Sequence, residues 1–286
     1  MLDSYLTLKI AGNKPLVTKI LKKHGFPVLP VCEFDLNSAA KAVRFQQQLK
    51  KPIVVKPAES GAAGKGITTR LTTRTQIIRA VIFAAAYSRK LLAEAFVPGD
   101  SYRLLYLNGE FLDAVRRDPP RLRGDGRHSL REAVALENKH RLTREPIVSL
   151  HPITVDPEFH QTIGWQKLSL RSVLDAGDTV TVKSVVNQNR KEENESVRDR
   201  VNPETVQMGA EIARLLNIQL AGVDILTTDI SRPLQETGGI INEVNTTPGL
   251  HHHYLIKNED QAVPVANIIL DYLLKKHHVY TIAAYS

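Results

Sequence analysis

The sequence predicts an α+β protein built as two lobes. Short apolar runs rich in β-branched residues, such as Ile53–Lys56, alternate with helical stretches that follow polar N-cap residues. Pro98 and Gly99 interrupt this alternation and are typical of a hinge. Because 286 residues are enough for two domains, we expect an N-terminal segment and first lobe in residues 1–97, and a second lobe in residues 98–286.

Caps and breakers define the elements of the first lobe. Asn13 can cap a helix that ends before Gly25, and Pro57 ends the strand that begins at Ile53. The predicted elements are helices at Lys14–His24, Ser38–Leu49 (capped by Asn37) and Thr73–Tyr87, an extended segment at Phe26–Val31, and strands at Ile53–Lys56, before Leu71 and at Lys90–Ala95.

The second lobe begins with a hairpin signal. Asn108-Gly109 favours a tight turn between two strands, because both residues tolerate positive φ. The segment Lys191–Arg200 is dense in charge and poor in apolar residues, so we expect a mobile loop there. The other predicted elements are strands at Tyr102–Leu107, Glu110–Arg117, Leu220–Thr227 and Gly239–Asn245, and helices at Ser129–Asn138, Pro203–Leu216 and Val263–Lys276.

Composition excludes several classes of protein. The chain is 42% hydrophobic and 24% charged, which excludes a mainly disordered protein. Cys32 is its only cysteine, so no intramolecular disulfide forms and a reducing compartment is favoured. Asp3 and Lys9 interrupt the N-terminal stretch where a signal peptide needs an apolar core, and no apolar run is long enough to cross a membrane. We therefore predict a cytoplasmic protein with no membrane partner.

The charge is positive and unevenly distributed. Of a net charge of +8, the segment Arg116–Arg144 holds nine Lys and Arg against four Asp and Glu. An anionic partner is expected, and a nucleic acid, a nucleotide, phosphate or an acidic substrate would each satisfy it. Nucleic acid is the least favoured of these, because no aromatic residues are interleaved with the basic ones for base stacking.

Two groups of residues indicate phosphate and metal chemistry. Lys56 precedes a loop of glycine and alanine, ESGAAGKG, whose backbone amides can approach an anion closely. A surface turn with a chance lysine is the alternative for this loop. Glu243 and Asn245 are two residues apart on one predicted strand, and a hairpin can bring Asp224 beside them. Three hard oxygen ligands suit Mg²⁺, whereas a solvated polar strand face is the alternative.

Several motifs in order resemble the ATP-grasp superfamily of carboxylate–amine ligases. They are VVKPAESGAAGKG, LLAEAFVPGDSYRLL, AGVDILTTDISRPL and INEVNTTPG, with support from TLKIAGNKPLVTKILKKHGFPVLP and RGDGRHSLREAVALEN. Together they look most like the ATP-grasp region of cyanophycin synthetases and bifunctional glutathione synthetases, and EVNTTPG also resembles D-alanine:D-alanine ligase. The resemblance implies the ATP-grasp fold, in which two α+β lobes hold a nucleotide between them.

The resemblance also implies the roles of individual residues. Lys14 and Lys56 match lysines that bind ATP phosphates, and Glu94, with the backbone of Phe96 and Val97, matches the adenine site. The ribose contact stays open between Asp100 and Ser101. The flap over the phosphates corresponds to the loop that contains Ser60, Gly61, Gly64, Lys65 and Gly66.

The implied catalytic residues are charged. Asp224, Glu243 and Asn245 match the ligands of one or two Mg²⁺ ions, for which Mn²⁺ can substitute. Arg117 and Arg103 match basic residues of the active site. In the implied reaction a carboxylate attacks the γ-phosphate of ATP while Mg²⁺, Lys56 and the arginines neutralise charge, and an amine then attacks the acyl phosphate. The expected activity is amide-bond formation between amino acids or peptides, with release of ADP and phosphate.

The chain also departs from the family. Asn187 and Asn189 match substrate-site residues, but the glycines that follow in the relatives are replaced in NQNRKEENES, so the relatives' substrates are not carried over. The N-terminal domain that usually precedes the ATP-grasp unit has no counterpart, so a partner chain, a homo-oligomer or a larger substrate is expected to complete the site. A catalytically silent ATP-binding subunit or regulator is the alternative function.

Two further features bear on the substrate. His251, His252 and His253 follow EVNTTPGL, and we expect His251 and His253 to reach the substrate pocket, with structural packing or metal binding as alternatives. Adjacent residues diverge on a regular backbone, which disfavours one shared metal site. We also expect the basic segment Arg116–Arg144 to face the cleft mouth, where it would attract ATP and an acidic amino acid or peptide.

Overall fold

The computed structural model describes residues 2–58, 65–143 and 147–276. Its strands are β1 (Val31–Phe34), β2 (Ile53–Pro57), β3 (Thr68–Leu71), β4 (Leu91–Ala95), β5 (Asp100–Leu107), β6 (Glu110–Arg117), β7 (Arg121–Arg123), β8 (Thr179–Thr181), β9 (Asn194–Ser196), β10 (Leu220–Thr227) and β11 (Ile240–Thr246). Its α-helices are α1 (Tyr5–Ala11), α2 (Lys14–Lys23), α3 (Ala40–Leu49), α4 (Arg74–Ala85), α5 (Leu130–Thr143), α6 (Pro157–Trp165), α7 (Pro203–Leu215), α8 (Leu234–Thr237) and α9 (Val265–Lys276). No helix of this described part is long and apolar enough to cross a membrane.

The first lobe is an antiparallel sheet with helices α3 and α4 packed on it. Its strand order is β1-β4-β2-β3. Apolar side chains of β2, such as Ile53 and Val55, pack with Ile77 of α4 and are fully buried. The predicted helix start at Thr73 is confirmed, and Thr73 caps α4 through a capping box with Gln76. The helix predicted at Ser38–Leu49 begins instead with a 3-10 turn that Asp35 caps, since the Asp35 carboxylate accepts the Ser38 amide hydrogen.

The second lobe contains a five-stranded antiparallel sheet of order β11-β10-β5-β6-β9. The predicted hairpin is confirmed: β5 and β6 are joined through Asn108 and Gly109, at φ of 52° and 78°. The predicted mobile loop at Lys191–Arg200 is wrong, because it contains β9 and short 3-10 turns. Three polar side chains of this segment, those of Glu193, Asn194 and Ser196, are buried with partners; for example, Asn194 Nδ2 donates to the Leu255 carbonyl at 2.8 Å.

The N-terminal helices belong to the core of the second lobe. Ala11 of α1 and Val17 and Leu21 of α2 are buried in the same apolar cluster as Tyr106 and Ile225. Residues before β1 therefore pack on the large lobe, and the small lobe runs from β1 to β4. Helix α1, which Ser4 caps, was not predicted.

A third apolar core lies in the segment between β6 and β9. Leu122 of β7, Leu130 of α5 and Phe159 of α6 are buried together there. Helix α6 was not predicted, although Asp156 as N-cap and Pro157 at its start are typical signals. This inserted subdomain also contacts the small lobe, because Thr69 of β3 shares a hydrogen bond of 2.5 Å with the Ser184 hydroxyl.

Candidate active site

A cavity of about 810 Å³ lies where the small lobe, the large lobe and the inserted subdomain meet. Side chains from strands of both sheets and from the hinge before β5 line it. The sequence-predicted site residues among them are Lys14, Lys56, Lys65, Glu94, Phe96, Val97, Asp100, Ser101, Arg103, Arg117, Asn187, Asp224, Glu243, Asn245 and His251. The fold therefore brings residues from most of the chain's length into one site.

Strand register places the charged residues of the large lobe in one row. Asp224 of β10 lies directly opposite Arg103 of β5 on one side and Glu243 of β11 on the other. Directly opposed residues of antiparallel strands have Cβ atoms about 4.5–5.5 Å apart. Asn245 is two residues beyond Glu243 and so points to the same side of the sheet.

Two buried arginines share the single carboxylate of Asp224. Nε and Nη2 of Arg103 each donate to it at 2.7 Å, and Arg117 Nη2 lies 3.1 Å from Oδ2. Burial alone would raise the pKa of Asp224, but the two guanidinium groups hold it below its ordinary value. One positive charge is left over, and Arg117 Nε is buried without a hydrogen-bond partner. This charge balance favours a further anion in the cavity.

The oxygen ligands expected for Mg²⁺ lie beside this cluster. Glu243 Oε1 is 3.2 Å from Lys14 Nζ. The Asn245 amide has two possible orientations. In one, Nδ2 lies 3.4 Å from Asp224 Oδ2. In the other, which satisfies both amide atoms, Nδ2 donates to Glu243 Oε1 and Oδ1 accepts from Arg103 Nη2. No group of three or more His, Cys, Asp or Glu side chains in the described residues could hold a metal ion. The two carboxylates and the amide fit Mg²⁺ only when further oxygens, such as those of phosphate, complete its coordination.

The opposite end of the cavity is formed by the small lobe and the hinge. Lys56 Nζ lies 2.5 Å from Glu94 Oε1, and both side chains are about nine-tenths buried. The Arg70 guanidinium lies over the Phe96 ring, 5.1 Å from its centroid. Ser101 Oγ accepts a hydrogen bond from Arg117 Nη2 at 3.1 Å, whereas the exposed Asp100 carboxylate accepts only a long one, 3.5 Å, from the Tyr102 hydroxyl.

The structure does not bring three expected site residues to the cavity. Gly66 has φ of 76° and packs against Tyr87, where a side chain would not fit. Asn189 Nδ2 instead donates to Asn194 Oδ1 at 2.5 Å in the interior. Ser60, Gly61 and Gly64 lie outside the described residues.

After Gly66 and Asn189, His253 is the third expected site residue that does not reach the cavity. It is fully buried, and its Nδ1 is 2.7 Å from an Asp113 carboxylate oxygen. His251 and His252 line the cavity instead, with ring centroids 4.0 Å apart. Burial lowers the pKa of both rings, and neighbouring positive groups add to the effect. The sequence indicated a cluster of histidines, but which of them face the cavity depends on the 3-10 turn that carries them.

The cavity also contains residues that the sequence motifs did not indicate as site residues. His151, Thr69 and Ser184 line it from the small lobe and the inserted subdomain. The expectation for the basic segment is not met for Arg121 and Arg123, which line a separate, smaller cavity. Arg117 is the only charged residue of that segment, within its described part, that lines the large cavity.

Solved structures of similar architecture establish the fold. A bifunctional glutathione synthetase from Pasteurella multocida superposes with a TM-score of 0.56 and 23% identity, covering 96% of this chain and 37% of that one. The ATP-grasp ligase PsnB with its minimal precursor gives a TM-score of 0.54 at 13% identity, covering 96% of this chain and 64% of PsnB. The chain therefore has the ATP-grasp fold, as its motifs imply.

Sequence comparison identifies relatives within that class. Cyanophycin synthetase of Synechocystis sp. is 30% identical over 94% of this chain and 31% of that protein. The glutathione biosynthesis bifunctional protein of Streptococcus mutans is 27% identical over 91% of this chain and 35% of that protein. No protein-family profile matches. The chain is thus homologous to ATP-grasp carbon–nitrogen ligases and spans about a third of the length of these curated relatives.

Proposed function

We propose that the chain is an ATP- and Mg²⁺-dependent ligase that joins the carboxylate of an amino acid or peptide to an amine. The observation that carries this proposal is the buried pair Arg103 and Arg117, which shares one carboxylate, Asp224. A positive charge in excess inside a cavity of this size favours an anionic reactant. When a phosphoryl group passes from ATP to a carboxylate and ADP leaves, negative charge is spread over the phosphoryl oxygens, and the excess positive charge of the two arginines would stabilise it.

The nucleotide would lie along the hinge between the lobes. Phe96 and Val97 line the hinge end of the cavity, where adenine would lie. The exposed Asp100 carboxylate would accept hydrogen bonds from the ribose hydroxyls, since Ser101 is already bonded to Arg117. Lys56 and Lys14 would bind phosphate oxygens. Each lysine is now paired with a glutamate, so a phosphate would exchange with, or extend, an existing ion pair.

Asp224, Glu243 and Asn245 would hold Mg²⁺ together with phosphate oxygens. When bound, the ion would supply positive charge beside the phosphoryl oxygens. Arg117 would stabilise the acyl phosphate, because its Nε has no partner in the buried site. Asn187 and His251, which line the same cavity, are positioned to contact the substrates.

The silent ATP-binding subunit has one observation in its favour. Two of the proposed metal ligands, Asp224 and Glu243, are already neutralised by Arg103, Arg117 and Lys14. If these ion pairs persist when the nucleotide binds, the metal ion lacks its ligands and no transfer occurs. A partner chain or a second copy that completes the site stays a prediction, as does the cytoplasmic location.

The proposal is tested by supplying ATP, Mg²⁺ and a panel of amino acids and peptides, with products read by mass spectrometry. We expect ADP, phosphate and an amide. Arg117→Ala should lower kcat by about 100-fold or more, as removal of a transition-state hydrogen-bond donor does. Glu243→Gln should also lower it, whereas Glu236→Gln, an exposed carboxylate outside the cavity, should not.

Two results would contradict this. Release of AMP and pyrophosphate excludes the acyl-phosphate route. Tight ATP binding without turnover of any panel member, and without a difference between Glu243→Gln and Glu236→Gln, supports the silent subunit.

A further inference from the structure

A second cavity, of about 280 Å³, lies in the inserted subdomain between β7 and α5. Its charged lining includes Arg121, Arg123 and Arg190, and its apolar lining includes Leu136 and Leu174. It is separate from the large cavity described above. None of the roles proposed for the ligase site uses it.

The alternation of β7 places two guanidinium groups on one face. Leu122 is buried in the apolar core of the subdomain, while Arg121 and Arg123, on either side of it, are exposed toward the cavity. Residues i and i+2 of a strand are about 6.5–7 Å apart and point the same way. Alternate side chains of any other extended peptide have the same spacing.

The carboxylates near this cavity do not neutralise these arginines. Arg123 has no ion-pair partner among the described residues. Within the described part of the chain, Arg121 forms an ion pair only with Asp118, at 4.0 Å, and that carboxylate already binds Arg116 at 3.2 Å. The acidic residues of the lining are occupied elsewhere.

Two such carboxylates line the cavity. Asp125 accepts from His128 at 2.6 Å, and Glu137 accepts from Arg141 at 2.7 Å. The strand face of β7 therefore carries two positive charges without full compensation.

The two cavities are close along the chain. Arg117 lines the large cavity, and Arg121, four residues later, lines the small one. On a second segment, Asn187 lines the large cavity and Arg190 the small one. Four residues span at most about 14 Å, because an extended chain advances 3.3–3.6 Å per residue. An extended peptide of about five residues is long enough to reach from one cavity to the other.

We propose that the small cavity binds acidic side chains of an extended peptide substrate, at alternate positions, while the reacting end of that peptide lies beside Arg117. Arg121 and Arg123 each bind one carboxylate, for which guanidinium is the matched partner. The leucines of the lining cover the aliphatic part of those side chains. The inference rests on the proposed ligase function and names its substrate class: acidic peptides of several residues rather than single amino acids.

A binding measurement tests this anchor, the pair Arg121 and Arg123, without turnover. A fluorescein-labelled hexapeptide with glutamate at alternate positions, and its glutamine counterpart, are titrated with the full chain near physiological salt. We expect the wild type to prefer the glutamate peptide, and Arg121→Glu/Arg123→Glu to weaken its binding by about tenfold or more, from two exposed ion pairs. The control Arg74→Glu/Arg79→Glu makes the same charge change on an exposed face of α4, outside both cavities, and should change binding by less than about twofold.

Kinetics separates the anchor from the ligase site. With the peptide as substrate, reversal at Arg121 and Arg123 should raise its KM about tenfold and leave kcat and the KM for ATP unchanged. Arg121→Gln/Arg123→Gln, if the reversed variant is unstable, should give the same direction with a smaller effect. The anchor is overturned if the charge reversals on β7 and on α4 weaken peptide binding equally, or if Arg121→Glu/Arg123→Glu binds the peptide as the wild type does. Absence of ADP release from every substrate, with peptide binding intact, overturns the ligase function instead.

Discussion

Replacement of His253 with alanine tests whether this residue supports the fold or contacts substrate. The sequence places it beside a motif of the active site, whereas the structure buries it completely against Asp113. The Asp113 carboxylate, also fully buried, accepts a second hydrogen bond, from Ser196 Oγ at 3.3 Å. The pair therefore attaches the turn that carries the histidines to strand β6.

The size of the effect follows from that burial. Removing one member of a buried hydrogen-bonded pair leaves the other without compensation, at a cost of about 3–5 kcal/mol. For a protein of this size each kcal/mol lowers Tm by about 2–4 °C, so we expect His253→Ala to lower Tm by about 6–20 °C. Thermal unfolding followed by circular dichroism measures this directly.

His251→Ala is the matched control. His251 is only partly buried and lines the large cavity, so its removal should change Tm by a few degrees at most while changing the KM for a substrate. The reasoning is refuted if His253→Ala keeps the wild-type Tm and raises KM. In that case the side chain contacts substrate, as the sequence predicts.

Three other predictions concern stability. Gly209→Ala should destabilise helix α7 by about 1–3 kcal/mol, because its Cβ would collide with the Tyr106 ring. Gly164→Ala in α6 should gain up to about 1 kcal/mol, because beyond its chain neighbours and the backbone of its own helix no atom lies within 4 Å of the new Cβ. Denaturation midpoints equal to that of the wild type would contradict both predictions. Burial raises the pKa of Glu193 from 4.5 to about 6, so the native state holds this proton more tightly than the unfolded chain does. The free-energy cost of ionising the buried Glu193 carboxyl group is absent below pH 4.5 and complete above about pH 6. The free energy of unfolding of the wild type should therefore fall by up to about 2 kcal/mol between these pH values. Glu193→Gln should remove this loss, and urea unfolding at pH 4.5 and 7 measures it; identical pH dependence in both proteins would contradict the assignment.

Local signals were sufficient for most helices and strands. The Asn108-Gly109 turn, the capping box at Thr73 and the Asn202 cap of α7 each depend on residues within a few positions of one another. Such interactions are written in the sequence itself. Strand β9 was missed because its charged surroundings suggested solvent, whereas Asn194 is buried by partners more than 60 residues away.

The sequence by itself determined the ATP-grasp fold, the positions of most strands, and the pairing of Glu243 with Asn245 on one strand face, since alternation along a strand is a local property. Only the tertiary structure decided which charges meet. Asp224 lies between two arginines rather than in open solvent, because β5, β6 and β10 are neighbours in one sheet. It likewise divided the histidines and the basic segment between cavities and core, because the direction of a side chain there depends on the packing of distant segments.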